Sequence, residues 1–152
     1  DMLDTAKSIL RESAETGCKV MLPEDVRVAE SMDQAAESRV VSVKDVGPNV
    51  MALDIGPESS RQFSDIIRKA ATIIWNGPMG VFENEEFARG TMEVALSVAE
   101  SSAFSLVGGG DTVRAIRKAG VEGRISYVST GGGAFMEFLE GKTLPGVEAL
   151  ES

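Results

Sequence analysis

Three loops in this sequence carry residue types that suit phosphate chemistry. Phe104-Ser105-Leu106-Val107 is an apolar run that leads into Gly108-Gly109-Gly110-Asp111-Thr112. Ile125-Ser126-Tyr127-Val128-Ser129-Thr130 leads in the same way into Gly131-Gly132-Gly133. A helix-patterned stretch follows each triplet. Strand, bare loop and helix N-terminus in succession aim backbone N–H groups and a helix dipole at one spot, which favours a bound phosphate. The third loop, Trp75-Asn76-Gly77-Pro78-Met79-Gly80-Val81-Phe82-Glu83, also follows an apolar strand. Three such loops at strand ends suggest one nucleotide site.

Each motif has a plainer reading beside the chemical one. Asp111 suits Mg²⁺, which commonly takes one or two carboxylates together with the phosphates of its substrate. It equally suits the N-cap of the helix that runs to Lys118. Gly131, Gly132 and Gly133 offer N–H donors to a phosphoryl group in transit, or form a strand-to-helix turn capped by Ser129 or Thr130. Asn76 can hydrogen-bond, Gly77-Pro78 forces a turn, and Gly80-Val81 offers an apolar shelf. Glu83 can accept from ribose hydroxyls, as carboxylates do in other nucleotide folds, or stand as a solvated acid near a helix start. Neither triplet is a common fingerprint. A Walker A loop needs Gly-Lys-Ser/Thr, whereas Asp-Thr and Ala-Phe follow here. A Gly-x-Gly-x-x-Gly match needs glycine at Val113 or Met136, which tells against a dinucleotide dehydrogenase. Two other readings remain: a ribokinase-type sugar kinase with Asp111 as base, and a nucleotide-binding or structural module without catalysis.

Composition narrows the chemistry. The chain has 152 residues, 43% of them hydrophobic, enough for one soluble domain with a real core. Its net charge of −9 argues against nucleic acid and anionic membrane as partners, since both need a basic face. The absence of histidine excludes Ser-His-Asp triads, histidine bases and histidine metal sites. A lone Cys18 cannot form an internal disulfide, which fits a reducing cytoplasm. No apolar run reaches the length of a membrane span, and no export signal is expected.

The elements that must position these loops read as alternating helix and strand. Apolar spacing predicts helices over residues 1–16, 58–71, 85–101 and 134–139, and from the first triplet to Lys118. It predicts strands over 19–22, 39–43, 51–55, 72–75, 104–107 and 125–130. The stretch 23–49 is otherwise hard to assign, apart from a turn at Gly47-Pro48-Asn49. Such alternation implies a three-layer α/β fold: a mostly parallel, Rossmann-like sheet with helices on both faces. Ligands of such sheets bind outside the carboxyl ends of the strands, the edge that carries all three loops.

Taken together, the motifs resemble the carboxyl-terminal, nucleotide-binding domain of phosphoglycerate kinases. The matching pieces are Leu53-Asp54-Ile55-Gly56-Pro57, the Trp75–Glu83 loop, Phe87-Ala88-Arg89-Gly90-Thr91, both glycine triplets with their flanks, and the tail from Leu139-Glu140-Gly141-Lys142 to Leu144-Pro145-Gly146-Val147. The resemblance runs in one order from about Asp1 to Leu150. It implies reversible phosphoryl transfer between 1,3-bisphosphoglycerate and ADP, giving ATP and 3-phosphoglycerate, in a cytoplasmic and monomeric parent enzyme. It implies that Glu83 holds the ribose, and that Ala52, Leu53, Pro78, Gly80 and Val81 line the nucleotide pocket. Asn76, Gly109, Gly110 and Thr112 then contact phosphates, Asp111 holds Mg²⁺, and Gly131, Gly132 and Gly133 face the transferring phosphoryl group. Ala52 stands where the family often has glycine, and Tyr127 where it often has histidine. The family's chain has two domains. Residues 1–152 are therefore expected to be part of the second, with the triose-binding amino-terminal domain absent and no turnover by these residues alone.

Overall fold

The structure, a computed structural model, describes residues 2–33 and 37–151. In chain order the elements are α1 (Met2–Thr16), β1 (Asp25–Ala29), β2 (Arg39–Ser42), β3 (Met51–Ile55), α2 (Pro57–Ile67), β4 (Thr72–Asn76), α3 (Arg89–Glu100), β5 (Phe104–Gly108), α4 (Gly110–Lys118), β6 (Tyr127–Val128), α5 (Gly133–Leu139) and α6 (Pro145–Glu151). The strands form two sheets of three. In one, β4, β5 and β6 run parallel, with Asn76 beside Gly108 and Val107 beside Val128. In the other, β1 lies between β2 and β3 and is antiparallel to both.

The parallel sheet flanked by helices is the α/β arrangement that the alternation predicts. Ile73 and Trp75 of β4 turn inward, and in register with them so do Ser105 and Val107 of β5. Val94 and Val98 of α3 and Ile116 of α4 close over them, with Phe63 and Ile67 of α2 at the margin. On the alternate face Ile74 and Tyr127 remain more than half exposed, so the described residues leave that part of the layer uncovered.

The antiparallel sheet is not anticipated. β1, β2 and β3 follow one another with no crossover helix among the described residues, and a parallel pairing needs one. The run at 19–22 forms no strand. It is an extended link with Val20 and Leu22 exposed, and the strand begins instead at Asp25. Here Val26 and Val28 are buried and alternate with half-buried Asp25 and Arg27.

Two aspartates on this sheet start helices that lie far away in sequence. The Asp25 carboxylate accepts from the Glu58 and Ser59 N–H groups at 3.1 and 2.8 Å, at the start of α2. Asp54 accepts from the Gly90 N–H at 2.8 Å, at the start of α3. Both place negative charge where orphan N–H groups and the helix dipole favour it. The two helices then pack side by side, with Ser97 and Ser64 hydroxyls hydrogen-bonded at 2.7 Å in the buried seam.

Several boundaries shift. α2 stops at Ile67 rather than 71, and α3 starts at Arg89 after a single turn at Glu85–Phe87. The strand expected over 125–130 shortens to Tyr127–Val128, and α6 was not expected. α1 forms from position 2, while position 1 of the expected helix lies outside the described residues. No residue of α1 is buried, and Leu3, Ile9 and Leu10 of its apolar stripe are exposed. Among the described residues no helix is long and apolar enough to cross a membrane.

Candidate functional site

Parallel pairing brings the ends of β4, β5 and β6 to one edge, and each continues into one of the three loops. Asn76 ends β4 directly beside Gly108, which ends β5. Gly109 follows with φ of 89°, a conformation that glycine adopts without strain. A Cβ there would also lie 3.1 Å from the Asn76 amide nitrogen. The loop can therefore pass close to Asn76 only as bare backbone. Gly110 has open space where a side chain would project, and so do Gly132 and Gly133 in the loop after β6. Gly108 differs, because its missing side chain makes room for the Phe135 ring of α5.

The loop after β4 is fastened at several points. Gly77 (φ 100°) donates its N–H to the Thr112 hydroxyl at 2.7 Å and accepts from the Trp75 indole N–H at 2.7 Å. Met79 and Gly80 donate to the Thr91 hydroxyl at 3.0 and 3.2 Å. Val81 donates to the Leu53 carbonyl at 2.8 Å. Lys118 reaches over to the Phe82 carbonyl at 2.6 Å. A loop tied in this way holds its shape before any ligand arrives.

Sequence reasoning names Thr112 as a phosphate contact but does not anticipate the structural part that it and two other groups play. Thr91 and Thr112 are buried hydroxyls whose role shows only in the fold. The third is Arg114. Its guanidinium donates to Asp111 at 2.7 Å and to Glu83 at 3.1 Å, and its Cζ lies 5.4 Å from the centre of the Phe82 ring. The hydrogen bond it donates to Asp111, aided by the charges of Asp111 and Glu83, holds the Arg114 proton more tightly than usual. The three-residue spacing of Asp111 and Arg114 on a helix was the available signal.

The structure gathers most of the expected residues at this edge. Asn76, Gly109, Gly110, Asp111, Thr112 and Glu83 are brought together, and Pro78, Gly80 and Val81 lie in the fastened loop. Gly131, Gly132 and Gly133 stand exposed at the end of the neighbouring β6. Ala52 and Leu53 are placed differently, on the antiparallel sheet. Ala52 is exposed there beside Val28, and Leu53 packs in a core with Ala29 and Phe87. Leu53 reaches the loop through its carbonyl, which accepts from Val81, and through the core against which Val81 packs.

The capping readings do not hold. The N-cap of α4 is Gly109 and that of α5 is Gly132, and neither helix start has a side-chain cap. Asp111 sits in the first turn of α4 with its carboxylate exposed, and the Ser129 hydroxyl accepts from Gly131 instead. Among the described residues no three acidic, cysteine or histidine side chains gather to hold a metal. One exposed carboxylate beside a bare loop does fit Mg²⁺ that arrives with a polyphosphate, because phosphate oxygens and water complete its octahedron.

A burial effect stands behind the site. Asp54 is almost fully buried, and desolvation pushes its carboxyl up to about 6, against the lowering effect of the Gly90 and Ile55 N–H groups. Gly80 and Gly90 both pack against it, with no room for a side chain at either.

Comparison with known proteins gives the family. A family model described as phosphoglycerate kinase matches residues 1–142. A phosphoglycerate kinase of Desulfosudis oleivorans is 57% identical over 151 residues, which is 99% of this chain and 38% of that protein. One from Geotalea daltonii is 54% identical over 152 residues, again 38% of its length. Among solved structures, phosphoglycerate kinase from Coxiella burnetii superposes with a TM-score of 0.92 at 44% identity, over 96% of this chain and 38% of that one. The enzyme from Pyrococcus horikoshii gives 0.81 at 37% identity, over 99% and 37%. The chain spans little more than a third of the length of these relatives, and it belongs to the phosphoglycerate kinase family.

Proposed function

We propose that this chain carries the magnesium-nucleotide site of a phosphoglycerate kinase, the carboxyl-terminal part of a two-domain enzyme. The parent enzyme then transfers a phosphoryl group between 1,3-bisphosphoglycerate and ADP. The observation that carries this reading is the meeting of Asn76, the Gly108–Gly110 loop, Asp111 and Glu83 at one edge of the parallel sheet.

In this reading the chain mainly binds and orients. Gly109 and Gly110 present N–H groups at the start of α4, where the helix dipole favours phosphate. The Thr112 hydroxyl accepts from Gly77 and keeps its own proton to donate. Glu83 accepts from ribose hydroxyls, Pro78, Gly80 and Val81 wall the pocket, and the exposed backbone of Gly131, Gly132 and Gly133 faces the phosphoryl group. Asp111 would hold Mg²⁺, which neutralises phosphate charge in such reactions. Phosphoryl transfer also needs compensation of the moving charge. These loops offer mostly backbone donors and carboxylates, so the chain alone is expected to bind nucleotide without turning it over. Family membership sets aside the sugar-kinase reading with Asp111 as base.

Backbone amide NMR with MgADP tests the site. The reading predicts shifts at Asn76, Gly77, Gly109, Gly110 and Asp111, with β1 and β2 unmoved. Shifts confined to other regions would overturn it.

A further inference from the structure

Arg114 sits between the two carboxylates to which the proposed function gives different tasks. Glu83 comes from the loop after β4, and Asp111 from the first turn of α4. One guanidinium nitrogen donates to both, at 3.1 and 2.7 Å. The Phe82 ring lies 5.4 Å away and supports the fork by a cation–π contact. A single cation thereby joins the acid meant for the ribose to the acid meant for the metal. All three side chains are more than half exposed, so the arrangement is open to exchange with a ligand.

We propose that Arg114 is a positioning residue that stands in for the divalent cation in the ligand-free site: it holds Asp111 and Glu83 in place and competes with the metal for Asp111. This rests on the reading of Asp111 as the metal carboxylate. The guanidinium holds Asp111 Oδ1, so its positive charge opposes a divalent ion arriving at that carboxylate. Without Arg114, Asp111 is free for the ion, while two uncompensated carboxylates face the polyphosphate. Loss of Arg114 therefore has opposite effects in the two states. Metal binds more tightly, and nucleotide without metal binds more weakly.

The test is a Mn²⁺ titration of the chain, followed by paramagnetic broadening of the Gly109 and Gly110 amides. Arg114→Gln should lower the Mn²⁺ midpoint about two- to fivefold, the range set by an exposed ion pair. Arg114→Lys keeps the charge without the fork and should fall between. Adding Asp111→Asn to Arg114→Gln should abolish the gain. An unchanged midpoint in Arg114→Gln overturns the proposal, and so does a gain that survives Asp111→Asn. Metal-free ADP should also bind the Arg114→Gln variant more weakly than the parent chain. The Mn²⁺ arm needs no nucleotide, so it decides the role of Arg114 even if the ADP arm counts against the nucleotide reading.

Discussion

The Thr112 hydroxyl accepts the Gly77 N–H at 2.7 Å and so fastens the loop after β4 to the first turn of α4. Two of the three loops are thereby joined. Thr112→Val keeps the shape but leaves the part-buried Gly77 N–H without its partner, a loss of about 1 kcal/mol. Urea denaturation should show that loss for valine and little loss for Thr112→Ser. Equal stability of the valine and parent chains would mean that the loop does not depend on this bond.

Asp54 makes stability depend on pH in an unusual direction. Its folded-state pKa, about 6, lies above the unfolded value near 3.8. The folded state therefore holds the proton more tightly between these values, and folding is favoured by protonation. The contribution is fully present below about pH 4 and is lost as pH rises through about 6, by roughly 1–3 kcal/mol in all. Denaturation midpoints between pH 4 and 8 should fall in the parent chain and flatten over this window in Asp54→Asn. The same slope in both would assign the pH dependence to other groups.

Glycines at this edge should divide into two kinds. A Cβ on Gly80 would lie 2.6 Å from the carbonyl oxygens of Leu53 and Phe87, both backbone atoms that cannot swing aside. Gly80→Ala should therefore destabilise the fold by roughly 1–3 kcal/mol, as overpacking does. Gly110 has open space around it and sits in the first turn of a helix, so Gly110→Ala should leave the melting temperature unchanged or raise it. Its effect should appear in ADP affinity, because the methyl group occupies space meant for phosphate. Unchanged ADP affinity in Gly110→Ala would remove Gly110 from the proposed site.

The parallel half of the fold was legible because its strands are apolar runs that end in glycine loops. β4 and β5 lie where the apolar runs put them, as does β3 of the other sheet, and the edge that carries the site follows from the parallel pairing of β4 with β5. The antiparallel sheet was hidden because Asp25-Val26-Arg27-Val28 alternates with charged residues, whereas the plainly apolar 19–22 run drew the assignment. Charge at Asp25 is tolerated because it caps α2, a contact 33 residues away in sequence. The phosphate-type loops were visible locally. The Thr112–Gly77, Thr91–Met79 and Arg114–Glu83 contacts were not, since each joins residues that only tertiary packing brings together. Ala52 and Leu53 were named by resemblance; they lie on β3 of the antiparallel sheet, where Leu53 is hydrogen-bonded to Val81 of the loop after β4.

The most direct measurement is a calorimetric titration of this chain with ADP, with and without Mg²⁺, repeated for Asp111→Asn. The account predicts binding that strengthens with Mg²⁺ and loses that gain in Asp111→Asn. Binding indifferent to Mg²⁺, or an Asp111→Asn variant that keeps the full gain, would contradict a site built on Asp111 and the Gly108–Gly110 loop.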